Sequence, residues 1–142
     1  MTLPQRLRIV LVDDDRLITT SLKIIIEADP ELQVIATATD GASALGLYQI
    51  HQPDLILLDI RMPEMSGLEA GKQILAADPE ARILYLTTFA DDEYIAETLR
   101  IGARGYILKQ QFESLVPAIK AIQAGQSVFG EEIREMEGRT IL

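Results

Sequence analysis

The chain has 142 residues, 48% of them apolar and 25% charged, enough for one folded domain with its own core. A formal net charge of −9 argues against gripping a phosphate backbone, and the lack of cysteine excludes disulfides, thiolate metal ligands and thiol nucleophiles. No apolar run approaches the roughly 20 residues of a membrane span, and Met1-Thr-Leu-Pro-Gln-Arg has no signal-peptide core, so a cytoplasmic protein is expected.

The apolar run 8–12 (Arg-Ile-Val-Leu-Val) predicts a first strand. Helical spacing at Leu17, Ile18, Leu22 and Ile25 follows and ends at Asp29-Pro30. Residues 32–38 read as the second strand; Asp40-Gly41 then opens a helix carrying Ala44, Leu45 and Tyr48 that stops before Pro53. The third strand is 54–58. Ser66-Gly67-Leu68-Glu69 is a capping-box pattern that starts a helix running to Asp78-Pro79. The fourth strand is 82–86, and a helix through Tyr94, Ile95 and Leu99 reaches Gly102. Gly105–Leu108 is the fifth strand, and Phe112, Leu115, Ile119 and Ile122 mark a fifth helix. Continuous apolar strands alternating with helices of 10–15 residues predict an α/β, doubly wound parallel sheet covered on both faces. Ligands of such sheets bind beyond the carboxyl ends of the strands. Asp13, Asp14, Asp59, Thr87 and Lys109 all fall there.

Strands one and three each end in acid, as Val12-Asp13-Asp14-Asp15 and Leu58-Asp59. At about 4 Å and an effective dielectric near 20, each pair of like charges costs on the order of 4 kcal/mol. A hard divalent cation, usually magnesium, would relieve that cost. Plainer readings stand beside this one. Asp13 to Asp15 also suit a helix N-cap, with Asp15 the best candidate for a pure cap. Asp59 could be a turn residue, Lys109 a solvated lysine, Thr87 an ordinary strand threonine and Tyr106 a half-buried strand tyrosine. His51, the only histidine, reads as a solvated residue at a helix end. There is no Gly-x-Gly-x-x-Gly or Walker-type loop.

Residues 8–125 resemble a response-regulator receiver domain. The resemblance rests on Ile9-Val-Leu-Val-Asp-Asp14, Asp54-Leu-Ile-Leu-Leu-Asp-Ile-Arg-Met-Pro63, Met65-Ser-Gly67, Leu86-Thr87 and Gly102-Ala-Arg-Gly-Tyr-Ile-Leu-Lys109. Leu86-Thr-Thr-Phe-Ala-Asp-Asp-Glu-Tyr94 and Ala121-Ile-Gln-Ala-Gly-Gln-Ser127 are most similar to the NarL/FixJ branch. The resemblance implies a flavodoxin-like five-stranded sheet of order 2-1-3-4-5 with five helices. It makes Asp59 the phosphoacceptor for a partner sensor histidine kinase. Asp13, Asp14, Asp59 and the Arg61 backbone carbonyl would hold Mg2+, and Thr87 and Lys109 would bind the phosphoryl group. Tyr106 would be the aromatic switch, turning inward as Thr87 moves. Gln110-Gln111 depart from the Pro or Asp that many relatives place after the lysine.

The implied activity is regulatory, with Mg2+-dependent self-phosphorylation and dephosphorylation only. Ile95, Leu99, Tyr106 and Lys120 are the candidate face that changes partners, with homodimerisation on phosphorylation. Residues 1–125 would be the receiver and 126–142 a linker or helical extension, leading to a helix-turn-helix DNA-binding domain not present in these residues. DNA recognition would belong to that parent protein. Two alternatives remain: a stand-alone receiver acting by protein contact, and a Mg2+-dependent phosphohydrolase. The latter class needs a second acid where Arg61 stands.

Overall fold

Five apolar runs become strands because a parallel sheet covered on both faces has no polar side on which to place alternate residues. In the computed structural model, which describes residues 6–88 and 91–129, they are β1 (Leu7–Val12), β2 (Leu32–Ala38), β3 (Leu55–Asp59), β4 (Ile83–Thr87) and β5 (Gly105–Leu108). The intervening helices are α1 (Arg16–Glu27), α2 (Ala42–His51), α3 (Gly67–Ala77), α4 (Asp92–Ile101) and α5 (Leu115–Gln123). All strand pairs are parallel and the order is β2-β1-β3-β4-β5, as the resemblance implies. The chain reverses its direction of travel across the sheet at β1. That reversal opens a crevice beyond the tips of β1 and β3.

Side chains alternate between two cores. Ile9, Leu11, Leu57, Leu84, Leu86 and Ile107 face α1 and α5 and pack with Leu22, Ile26, Leu115, Ile119 and Ile122. Val10, Val12, Ile56, Leu58, Ile83, Tyr85 and Tyr106 face α2, α3 and α4 and pack with Ala44, Ala70, Ile74 and Ile95. Helix starts are fixed by short polar side chains that satisfy free amides. The Asp15 carboxylate accepts from the Leu17 and Ile18 amides, Ser66 Oγ from Glu69, and Asp91 from Glu93 and Tyr94. Asp40 accepts from both the amide and the hydroxyl of Ser43, each at 2.8 Å.

Three expectations need correction. Phe112 does not belong to the fifth helix: it lies in a 3-10 turn over Lys109–Ser114 and is 51% exposed. Pro117 explains why. It sits in the first turn of α5, where its missing N–H costs nothing, and a helix begun at Lys109 would bury that proline in its interior. Leu17, counted on the apolar face of α1, is instead 75% exposed. The proposed partner face also separates. Ile95 and Tyr106 are buried in the core, whereas Lys120 reaches Asp29 and Glu31 beside β2, at 2.7 and 3.2 Å. Residues 126–129 are not helical, and Val128 bridges to Gly105; the expectations for 130–142 lie outside the described residues.

Asp15→Ala should remove the α1 cap and cost about 1 kcal/mol. We expect Tm to fall by roughly 3 °C in a thermal melt, with Mg2+ affinity unchanged within a factor of about two.

Candidate functional site

The register of the sheet brings four strand tips level. Asp59 pairs with Leu86 and Thr87 with Leu108, so the last residue of β3 and the last residue of β4 lie beside the start of the Lys109 turn. Asp13 and Asp14 follow β1 directly, on the other side of β3. Their carboxylates and that of Asp59 place one oxygen each within 4.8 Å of one another. The loop after β3 is folded tightly against them: the Gly67 amide donates to the Ile60 carbonyl at 2.8 Å. Only glycine fits there, because a Cβ on residue 67 would stand 1.9 Å from the Asp59 carbonyl oxygen.

Lys109 reaches over the tip of β4 into this cluster. Its Nζ lies 2.5 Å from Asp13 Oδ2 and 3.3 Å from Asp59 Oδ2. Asp13 is 1% and Asp59 4% exposed, whereas Asp14 faces solvent. The Asp15 amide donates to Asp13 Oδ1 at 2.9 Å and so aims Oδ2 inward. Oδ2 is buried, and the Lys109 ammonium lies against it. Three carboxylates against one ammonium, with an oxygen from each within 4.8 Å of the others, form an all-oxygen donor set that fits a hard divalent cation.

Electrostatics reflect the same crowding. Burial, reinforced by the charge of Asp13, pushes the Asp59 carboxyl up to about 7, against the opposing pull of Lys109. Burial also raises Asp13, partly offset by Lys109 and the Asp15 amide. For Lys109, burial disfavours the ammonium, but its bond to Asp13 and the charges of Asp59 and Asp13 outweigh that and hold it protonated.

Thr87 is 1% exposed at the tip of β4, and strand alternation puts it on the α2–α4 side with Ile83 and Tyr85. Tyr106 is on the same side and 3% exposed, so its ring is inward in this conformation. Arg61 follows Asp59 by two residues. Its guanidinium lies 5.5 Å from the centroid of Tyr94, across a cleft of about 430 Å3 that Asp14 and Met62 also line. Tyr94 was not singled out for this site by sequence, since a cation–π contact between a loop and α4 leaves no local pattern. A second cleft of about 360 Å3, apolar and lined by Ile18, Leu22, Ile25 and Phe112, adjoins Lys109 on the α1 side. His51 ends α2, apart from all of this.

A family model for the response regulator receiver domain matches residues 9–120. The chain belongs to that family: it is a receiver domain, a regulatory module rather than an enzyme in the ordinary sense. Within the family it falls in the NarL/FixJ branch. It is 39% identical over 125 residues to the uncharacterized transcriptional regulatory protein YxjL of Bacillus subtilis (strain 168), covering 87% of this chain and 57% of that one. It is 35% identical over 121 residues to the transcriptional regulatory protein DegU of Brevibacillus brevis, covering 84% and 51%. The crystal structure of a LuxR-family two-component response regulator from Aurantimonas sp. SI85-9A1 superposes with a TM-score of 0.89 at 33% identity, over 96% of this chain and 99% of that one. The signal receiver domain of the putative response regulator NarL from Mycobacterium tuberculosis gives 0.82 at 29%, over 87% and 100%. The chain thus spans a little over half the length of the curated relatives it matches. No helix among the described residues is long and apolar enough to cross a membrane.

The raised Asp59 carboxyl carries a pH dependence of stability. The unfolded chain releases this proton near pH 4 and the folded chain keeps it to about pH 7, so stability falls as pH rises through that window. In chelator, Tm should therefore drop between pH 5 and 7.5, and saturating Mg2+ should restore it. Asp59→Asn should remove most of the drop and stabilise the metal-free protein at pH 7.5 by about 1–2 kcal/mol, read from urea melts.

Proposed function

We propose that Asp59 is the phosphoacceptor of this receiver and that a partner sensor histidine kinase supplies the phosphoryl group in the cytoplasm. The observation that carries the reading is the position of Lys109 Nζ, in contact with both Asp13 and Asp59 at the crevice. The carboxylates of Asp13, Asp14 and Asp59 and the Arg61 backbone carbonyl would hold Mg2+. When bound, that ion would offset the charge on the transferring phosphoryl oxygens.

In the reaction, an Asp59 carboxylate oxygen attacks phosphorus in line with the bond to the donor. The donor's P–N bond breaks, or its P–O bond for a small acyl phosphate, and a new P–O bond to Asp59 forms. The leaving group takes the electron pair of the broken bond. A raised Asp59 pKa limits the nucleophile in the metal-free protein, because part of the population is protonated near pH 7. Lys109 and a bound cation both favour the ionised form. After transfer, Asp59 carries about two negative charges where it had one. Lys109 then pairs with the phosphoryl oxygens, and the Thr87 hydroxyl donates to one of them. Tyr106, on the Thr87 side of the sheet, is the residue whose ring position follows.

Moving a two-state equilibrium from 1:99 to 99:1 takes about 5.5 kcal/mol of differential binding. Two charge-assisted contacts in a partly buried site supply that order of energy. The output is proposed to be transcriptional, with homodimerisation on phosphorylation and DNA bound by a separate domain of a longer parent. The names of the curated relatives, transcriptional regulators of which the matched segment is only a little over half, support that reading. The phosphohydrolase alternative has no support: its second acid would stand at Arg61, whose guanidinium rests on Tyr94.

Acetyl phosphate with Mg2+ should add one phosphoryl mass to the wild-type chain and none to Asp59→Asn. Labelling of the variant at the wild-type rate would move the acceptor elsewhere. Lys109→Ala frees two buried carboxylates from their counter-charge, so it should bind Mg2+ at least as tightly as wild type. The same variant should lose the beryllofluoride-induced change in its NMR spectrum.

A further inference from the structure

Helix α5 does not continue into the residues that follow it. Gly125, at φ +95°, closes it with paired backbone bonds: its amide donates to Ile122 and the Gln126 amide to Ala121, each at 3.0 Å. The chain then turns back beside β5, the terminal strand of the five-stranded sheet, whose outer backbone groups would otherwise be an open edge. Val128 pairs there in parallel with Gly105. Its amide donates to the Arg104 carbonyl at 2.8 Å, and its carbonyl accepts from the Tyr106 amide at 2.9 Å.

The side chains of this segment alternate as those of a strand do. Val128 packs against the α1/α5 core, whereas Phe129 packs against the α2–α4 core, the layer that contains Tyr106. Gly105 is what permits the approach. A Cβ at that position would lie 2.8 Å from the Val128 carbonyl oxygen and 2.7 Å from Leu84 Cδ1. The segment is therefore bonded to the Tyr106 backbone amide, and Phe129 rests on the core layer to which Tyr106 also belongs.

We infer that residues 126–129 form the output contact of this receiver, a short sixth strand on the β5 edge through which the state of Tyr106 reaches the chain beyond residue 129. The trigger rests on the phosphorylation of Asp59 proposed above; the contact itself is part of the fold. With the ring buried, the Tyr106 amide is aligned on Val128 and Phe129 has a filled layer to rest on. A ring turned out to solvent leaves a gap in that layer and loosens the segment. Ring burial and segment docking thus favour each other. By reciprocity, a phosphoryl analogue that favours the buried ring must tighten the segment, and loss of the segment must weaken the analogue.

Amide exchange followed by NMR on the whole chain tests this, with and without beryllofluoride and Mg2+. The Val128 and Tyr106 amides should exchange about tenfold more slowly in the activated protein. In Phe129→Ala, both amides should exchange faster than in wild type even without activation. Beryllofluoride affinity should fall about five-fold, while acetyl phosphate still labels Asp59. Val128→Pro, which deletes the donor to Arg104, should give the same pattern and serves if the first variant misfolds. Unchanged exchange at both amides in activated wild type, or wild-type exchange and affinity in both variants, would overturn the output contact. A wild-type chain that takes up neither beryllofluoride nor a phosphoryl group would overturn the Asp59 reading instead. The unactivated variants would then still decide whether Phe129 holds the Tyr106 amide.

Discussion

One ammonium held between two buried carboxylates organises the functional end of this domain. Lys109 starts from the far side of the sheet, crosses the tip of β4 and meets acids carried by β1 and β3. Without it, Asp13 and Asp59 would face each other as buried like charges, and each would shed its charge by taking up a proton. With it, the cluster is tolerable but still over-supplied with negative charge. That surplus is the property a cation can exploit. The rest of the fold serves to keep three elements far apart in sequence within the reach of one lysine side chain.

Much of this was legible because the sequence is punctuated at every turn of the fold. Apolar runs too short for helices, bounded by Asp-Pro, Asp-Gly and Gly, mark β1 to β5 within a residue or so of their observed ends. The acids at 13, 14 and 59 could be placed on one rim because parallel strands must all end on the same side. The order of strands was another matter. Pairing of β1 with β3 rather than β4 leaves no trace in local pattern, and it came from the resemblance of several motifs taken together.

What escaped the sequence was set by tertiary contact. Phe112 has helical spacing relative to Leu115, yet Pro117 fixes where the helix can begin and leaves the ring on the surface. Lys120 was grouped with Tyr106 on one face, but Asp29 and Glu31, two acids just before β2, hold its ammonium. Ser127-Val128-Phe129 is too short to show a period of two, and its partner strand lies some twenty residues earlier. The contact of Arg61 with Tyr94 joins a loop to a helix that no spacing rule connects.

The double ion pair of Lys120 has a mechanical meaning for α5. The helix follows directly on the turn that begins at Lys109, so a shift of that turn as a whole would bear on the helix start. Farther along, Lys120 moors the helix to the loop between α1 and β2. A rod pushed at one end and moored near the other tilts about its mooring instead of sliding lengthwise. These surface charges are individually weak and screened by salt. Ionic strength therefore governs how firm the fulcrum is, and with it how far a disturbance at the acidic rim carries along the helix.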